Sequence, residues 1–233
     1  MPVKYHPVSL MFMSITCLFV TCLLITNIVA GRLVQLGNMV LTADLFLFPV
    51  TYIFGDVLTE VYGFRRARLT IWLGFAANLF MALFFMAVVQ MPRPGFWEQE
   101  QAYVTVLGFT PRLVGASLLA YLAGEFSNAV ILSRLKVYTR GRWLWTRTIG
   151  STLVGQALDT TIFMLAAFYG TYSTPIFMGM VAVQYAWKVA YEAMATPFTY
   201  ALVGWLKRIE GSEVFDAGIS YNPFTLDISS AQE

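Results

Sequence analysis

The stretch Val8–Ala30, VSLMFMSITCLFVTCLLITNIVA, contains no charged residue. A helix needs about 20 mainly apolar residues to cross about 30 Å of hydrocarbon, and this stretch is long enough. It is also too long for the core of a signal peptide, and it lacks the small-x-small cleavage site that would follow one. We therefore interpret it as a retained transmembrane helix.

Five further apolar stretches of similar length follow it. The six predicted spans are Val8–Ala30, Thr42–Val61, Leu69–Val89, Pro111–Leu132, Thr148–Tyr169 and Ile176–Leu206. The predicted fold is therefore an all-α membrane protein, a bundle of six transmembrane helices. Residues 1–210 would form a single transmembrane domain. Residues 211–233 would form a polar cytoplasmic tail, which we expect to be mobile.

The composition supports this class and excludes several others. Of the 233 residues, 58% are hydrophobic and only 12% are charged, whereas soluble domains carry about 25% charged residues. A soluble enzyme, a disordered protein and a nucleic-acid binder are therefore excluded. His6 is the single histidine, and Cys17 and Cys22 form no C-x-x-C pair. We accordingly expect no catalytic residue, no metal site and no cofactor.

The positions of lysine and arginine predict the orientation of the bundle. If the N-terminus is cytoplasmic, eleven basic residues fall on the inner side, while only Arg32 and Arg93 fall in outer loops. The inner residues are Lys4, Arg65, Arg66, Arg68, Arg134, Lys136, Arg140, Arg142, Arg147, Lys207 and Arg208. Cytoplasmic loops carry the excess of Lys and Arg. Both termini are thus predicted to be cytoplasmic.

Two spans carry local signals of their own. In the second, Pro49 removes a backbone hydrogen bond and should kink the helix. The fourth span has the signals of a helix start, with Thr110 as the N-cap residue and Pro111 at the first helical position. Its small residues recur every four positions, at Ala116, Ala120 and Gly124. Such a face allows close helix packing, either within one chain or between the two chains of a homodimer.

Ionisable side chains within the predicted spans point to function. An ionised group at the centre of a membrane helix costs about 2.5–3.5 kcal/mol, so six of them are unlikely to be accidental. They are Asp56, Glu60, Glu125, Asp159, Lys188 and Glu192. Such residues normally face the bundle interior or a water-filled cavity.

The spacing of these residues favours one shared interior site. Residues three or four apart share a face of a helix, and four spans each carry such a polar face. The candidate substrate-binding residues are Tyr52, Asp56, Glu125, Asn128, Gln156, Asp159, Gln184, Trp187, Lys188 and Glu192. A small-molecule site between helices is the predicted result.

Some of these residues have purely structural interpretations. Glu60 lies near Arg65 and Arg66, so an interfacial ion pair is as good an interpretation as a ligand contact. Asp44 lies at the start of its span, where an acid suits a helix N-terminus. Lys188 and Glu192 are four apart and could neutralise each other.

The charge balance favours a particular class of ligand. Five acids face one lysine, so the cavity suits a ligand rich in N–H donors, a cation or a proton relay. It suits a phosphorylated or carboxylated substrate poorly. Flat aromatic side chains such as Tyr52 and Trp187 could stack on a ring.

The motifs resemble those of the queuosine precursor transporter family. The stretch FPVTYIFGDVLTEVYGFRRAR, from Phe48 to Arg68, is similar to the family's F-P, D-x-x-T-E, Y-G and basic-cluster pattern. RLVGASLLAYLAGE, from Arg112 to Glu125, resembles a second motif. Arg142 to Thr160 resembles a third, and Lys188 matches a lysine of the last helix. The resemblance covers about residues 8–208.

This resemblance implies a membrane importer of 7-cyano-7-deazaguanine, 7-aminomethyl-7-deazaguanine or queuine, which supply the queuosine modification of tRNA. Asp159 or Glu125 would bind the guanine-like edge, and Asp56 or Glu192 would bind an ammonium. Import could be coupled to protons or driven by trapping of the substrate. One alternative is the substrate-binding subunit of an ATPase-dependent (ECF-type) vitamin transporter. An intramembrane enzyme is a second.

Overall fold

The computed structural model describes residues 9–30, 32–36, 39–108, 111–170, 173–211 and 213–225. In this part of the chain there are seven α-helices, one short 3-10 helix and one β-hairpin. The α-helices are α1 (Leu10–Val29), α2 (Phe48–Tyr62), α3 (Phe64–Val89), α4 (Glu100–Leu107), α5 (Pro111–Tyr138), α6 (Leu144–Phe168) and α7 (Thr174–Glu210). The predicted all-α class is confirmed.

A hairpin that the sequence analysis did not predict lies between α1 and α2. Its strands are β1 (Leu33–Leu36) and β2 (Met39–Thr42), which pair antiparallel. A strand of four residues is too short for its alternating pattern to be distinguished from the apolar end of a transmembrane span. The 3-10 helix Ala43–Phe46 follows directly and leads into α2.

The expected kink at Pro49 is wrong, because α2 begins at Phe48 and Pro49 lies in its first turn. At that position the missing N–H of proline has no intrahelical partner to lose. The predicted second span is therefore a 3-10 turn followed by a helix of 15 residues. This helix is only about 22 Å long.

Four helical stretches of the described residues are long and apolar enough to cross a membrane. They are Leu10–Val29, Phe64–Val89, Leu144–Phe168 and Glu100–Tyr138, which combines α4 and α5 across residues 109–110, outside the described part of the chain. Helix α2 is too short to meet that requirement alone, and α7, although 37 residues long, is too polar. The chain is thus an all-α membrane protein with several apolar spans.

Helices α5 and α6 form the closest pair in the bundle. A Cβ on Gly155 would lie 2.9 Å from Asn128 Cβ and 3.0 Å from Gly124 O, so only glycine permits this approach. Ala116 and Ala120 are also buried. The small-residue face of α5 therefore packs within the chain. The predicted cap Thr110 lies outside the described residues.

Within the tail that the sequence predicts to be mobile, residues 213–225 pack against the Gly63 end of α3. Asp216 accepts hydrogen bonds from Phe64 N (2.8 Å) and from the Ser133 hydroxyl (2.6 Å). Arg68 donates to Asn222 O, and Trp72 Nε1 donates to Pro223 O. The tail thus caps α3 and joins it to α5.

This anchoring yields a test at Gly63. Gly63 has φ +81°, and a Cβ there would lie 2.8 Å from Val214 Cγ1 and 2.9 Å from Asp216 Oδ1. Gly63→Ala should lower the melting temperature of the purified protein in detergent, because it strains the backbone and displaces Asp216. Gly179→Ala is the matched control, since a Cβ at this α7 glycine meets nothing within 4 Å. Equal melting temperatures for the two variants would refute the anchoring role.

Candidate functional site

The polar residues predicted for the site lie in the interior formed by α2, α5, α6 and α7. Helix α2 contacts α5 and α7, and α6 contacts α5 and α7. Eight of the ten candidates are buried: Tyr52, Asp56, Glu125, Asn128, Gln156, Asp159, Lys188 and Glu192. The sequence pattern therefore identified interior residues and not lipid-facing ones.

One end of this interior holds an ion pair between α6 and α7. Lys188 Nζ donates to Asp159 Oδ2 at 2.7 Å, and it also lies 4.0 Å from the centre of the Phe48 ring. The hypothesis that Lys188 neutralises Glu192 is therefore wrong. The 3-10 helix brings Asp44 near enough for its charge to act on Lys188 and Asp159. Asp44 is thus a neighbour of this pair.

Helices α2 and α5 contact each other about one turn further along α2, in the direction of Glu60. Asn128 Nδ2 donates to Asp56 Oδ1 at 2.6 Å, while Asp56 Oδ2 has no hydrogen-bond partner among the described residues. The Tyr52 hydroxyl, also unpartnered, lies so close to Gly124 that a Cβ there would be 2.7 Å from it. These buried groups are available to a polar ligand.

Helices α6 and α7 add further unpartnered groups. Both carboxylate oxygens of Glu192 and both amide atoms of Gln156 lack a hydrogen-bond partner in the described structure. The hydroxyls of Thr152 and Thr160 share this property, and they flank Gln156 at intervals of four on the same face of α6. A buried polar group without a partner costs about 1–3 kcal/mol. We name Tyr52, Asp56, Asn128, Thr152, Gln156, Thr160 and Glu192 the unpartnered cluster.

The remaining predicted residues lie around this cluster. Glu125 lines a small void of about 10 Å³ with Phe19, Thr59 and Thr70, about enough for one water molecule. Its charge acts on Asp56, and those of Asp159 and Glu192 act on it. Trp187 Nε1 is buried and unpartnered, whereas Gln184 is half-buried on α7.

The opposite end of the interior is closed by a second ionic group around Glu60. Arg147 donates to both Glu60 carboxylate oxygens at 2.8 Å, and Lys207 Nζ lies 2.8 Å from Glu60 Oε1. Lys136 Nζ lies 3.5 Å from the same oxygen. Glu60 is fully buried. We name these four residues the Glu60 network, which ties α2 to α5, α6 and α7.

The ion-pair interpretation of Glu60 is therefore supported, and the ion pairs are with Arg147, Lys136 and Lys207. The guanidinium of Arg66 lies over the rings of Phe12 and Tyr62 instead. Lys207 also bonds Glu213 in the tail at 2.6 Å, and this hydrogen bond lowers the pKa of Glu213. These partners could not be predicted from the sequence, because Arg147 lies 87 residues from Glu60.

The unpartnered cluster lies between these two ionic groups. The order of residues along α2 shows this. Phe48 contacts Lys188 of the first ion pair, Asp56 belongs to the cluster, and Glu60 holds the Glu60 network. Phe48 and Glu60 are about 18 Å apart along the helix. Sequence reasoning missed Thr152, Thr160 and Phe48. The first two could have been found from their spacing of four around Gln156.

The arrangement offers buried polar groups that lack hydrogen-bond partners among the described residues, which is the chemistry that a polar ligand would need. Among the described residues, no group of three His, Cys, Asp or Glu side chains is suitably arranged to hold a metal ion. The fold and the site together define a helical membrane protein with a buried, polar, acid-rich interior. Such interiors in membrane proteins mark the pathways of substrates and ions.

Comparison with known proteins gives the family. The family described as "Putative vitamin uptake transporter" matches residues 42–202, and the chain belongs to it. A "Probable queuosine precursor transporter" of Bacillus subtilis (strain 168) is 30% identical over 176 residues, which cover 75% of this chain and 77% of that protein. The "Queuosine precursor transporter" of Escherichia coli (strain K12) is 28% identical over 164 residues, covering 67% and 72%. No solved structure matches.

These names describe transport and not catalysis. The chain is therefore a multi-pass membrane transport protein and not an enzyme. The resemblance inferred from the four motifs is confirmed.

The Glu60 network gives a test of what holds the bundle together. Glu60→Gln should lower stability by about 3–5 kcal/mol, because it leaves buried cations without their counter-ion. The readout is the melting temperature of the purified protein, and Glu98→Gln, in an exposed loop, is the matched control. A Glu60→Gln variant with the melting temperature of the wild type would contradict the structural role of Glu60.

Proposed function

We propose that this chain imports queuosine precursors, namely 7-cyano-7-deazaguanine, 7-aminomethyl-7-deazaguanine or queuine, for tRNA modification. The names of the two curated relatives support the substrate class. The single observation that carries the proposal from the geometry is the unpartnered cluster, a set of buried acceptors and donors between four helices.

The chemistry of the cluster suits a guanine-like ring. The edge of such a ring offers a ring N–H and an exocyclic NH₂ side by side, and one carboxylate can accept both. Asp159 and Glu125 are our proposed acceptors for this edge. Lys188 already orients the Asp159 carboxylate at 2.7 Å.

The ring also carries a carbonyl and nitrogen acceptors, which need donors. Gln156 and Tyr52 have unpartnered donor groups, Asn128 is held against Asp56, and Lys188 carries further N–H groups. Gln184 is a further proposed donor. The Trp187 ring and the Tyr52 ring are proposed to stack on the substrate.

We also propose that the chain crosses the bacterial inner membrane six times, with both termini in the cytoplasm. The spans would be α1, the 3-10 helix with α2, α3, α5, α6 and α7. The Glu60 network and the basic residues near it would then lie on the cytoplasmic side, as the positive-inside rule requires. Helix α7 is too polar to qualify as a span by composition, but its charged residues Lys188 and Glu192 are buried in the bundle. At about 55 Å it would extend beyond the hydrocarbon core.

The proposed topology also defines the domain boundaries and which part of the chain lies in the membrane. Residues 1–210 would form the transporter domain within the lipid bilayer, and residues 211–233 a cytoplasmic tail, of which residues 213–225 pack on that domain. The substrate-binding subunit of an ATPase-dependent transporter finds no support in the names of the relatives. The proposed transporter works without an ATPase partner.

The test measures queuosine in tRNA from a bacterial strain that can neither make nor import the precursors. This chain is expressed alone, and each deazaguanine is supplied at low concentration. Restored modification is the expected result. A failure to restore it, with the protein present in the membrane, would contradict solitary import.

A site variant follows from the same assay. Asp159→Asn should reduce uptake at least about tenfold, because it removes a charged acceptor and leaves Lys188 buried without its counter-ion. Protein in the membrane is quantified in parallel, and Glu98→Gln again serves as the control. Unchanged uptake by Asp159→Asn would remove this residue from the site.

A further inference from the structure

The interior site contains more carboxylates than cations can balance. The charges of Glu125 and Glu192 act on Asp56, and the charges of Asp159 and Glu192 act on Glu125. Lys188 is paired with Asp159 and packed on Phe48. The cations Lys136, Arg147 and Lys207 are held by Glu60. The described residues therefore place no cation on Asp56, Glu125 or Glu192.

Glu192 is the acid best arranged to receive a positive charge. It is 1% exposed, and neither of its oxygens has a hydrogen-bond partner among the described residues. Asp56 lies within electrostatic reach and offers one more unpartnered oxygen, since Asn128 holds only the other. Three buried acceptor oxygens are thus available at this point of α2 and α7.

Neutral polar groups on α2 and α6 share this buried, unpartnered character. Gln156 is fully buried and both of its amide atoms are unpartnered, and the Tyr52 hydroxyl is buried and unpartnered as well. The charges of Asp56, Glu125 and Asp159 act on Tyr52, which places its hydroxyl among them. The arrangement therefore offers amide and hydroxyl groups for a ring and carboxylates for a cation.

The cyano and aminomethyl precursors differ in the charge of the substituent on the deazaguanine ring. A cyano substituent is neutral and can only accept hydrogen bonds, whereas an alkyl amine is an ammonium at neutral pH, as in lysine. A buried charge is stable only when it is paired and hydrogen-bonded. A carboxylate therefore stabilises the aminomethyl substituent and offers nothing comparable to the cyano group.

We propose that Glu192, with Asp56 beside it, binds the ammonium of the substrate, so that the transporter prefers 7-aminomethyl-7-deazaguanine to its cyano counterpart. This inference rests on the proposed function. Glu192 is then the residue that sets specificity, while Asp159 and Glu125 serve the edge that the two precursors share.

The test is direct binding of the two precursors to the purified full-length chain in detergent at pH 7. We expect the aminomethyl compound to bind at least about tenfold more tightly, since charged hydrogen bonds are about twice as strong as neutral ones. Glu192→Gln should reduce this preference to about threefold or less by weakening only the aminomethyl compound. Glu98→Gln should retain the wild-type ratio.

Each other outcome overturns the inference. Equal or tighter binding of the cyano compound to the wild type would do so, even if Glu192→Gln could not be purified. An equal loss of both compounds in Glu192→Gln would make this residue structural and not selective. If neither compound binds to the wild type, the proposed function fails as well, whereas binding of both at equal strength leaves that function intact.

Discussion

The buried carboxylate of Glu60 is the interaction on which the bundle depends. It is fully buried and holds Arg147, Lys136 and Lys207, which come from three other helices. Glu60, Lys136 and Arg147 are buried and Lys207 is partly exposed, so removing these charges from water is costly, and only their mutual pairing offsets that cost. Because the partners lie on α5, α6 and α7, the network sets the relative positions of α2 and these helices. The docked tail adds Glu213 at its edge.

A second ionic pair, Lys188 and Asp159, lies about 18 Å away along α6 and marks the other end of the polar interior. The unpartnered cluster lies between the two. A substrate that passes through the bundle must therefore pass one ionic group on each side.

The sequence predicted the class of fold and the interior residues, because both follow from the cost of placing polar groups in lipid. It predicted the partners less well. The spacing of Lys188 and Glu192 suggested a pair within α7, but Lys188 bonds Asp159 on the neighbouring helix. Pro49 begins a helix instead of bending one, since the 3-10 turn before it cannot be recognised from hydropathy. Contacts between distant segments, such as Asp216 with Phe64, depend on how the helices pack.

The central claim is that the unpartnered cluster binds the substrate. An experimental structure of the chain with bound 7-aminomethyl-7-deazaguanine tests it most directly. We expect the ring between the two ionic groups, in contact with Asp56, Gln156 and Glu192. A ligand found elsewhere, for example in the surface groove lined by Phe126, Val154 and Tyr221, would contradict the account.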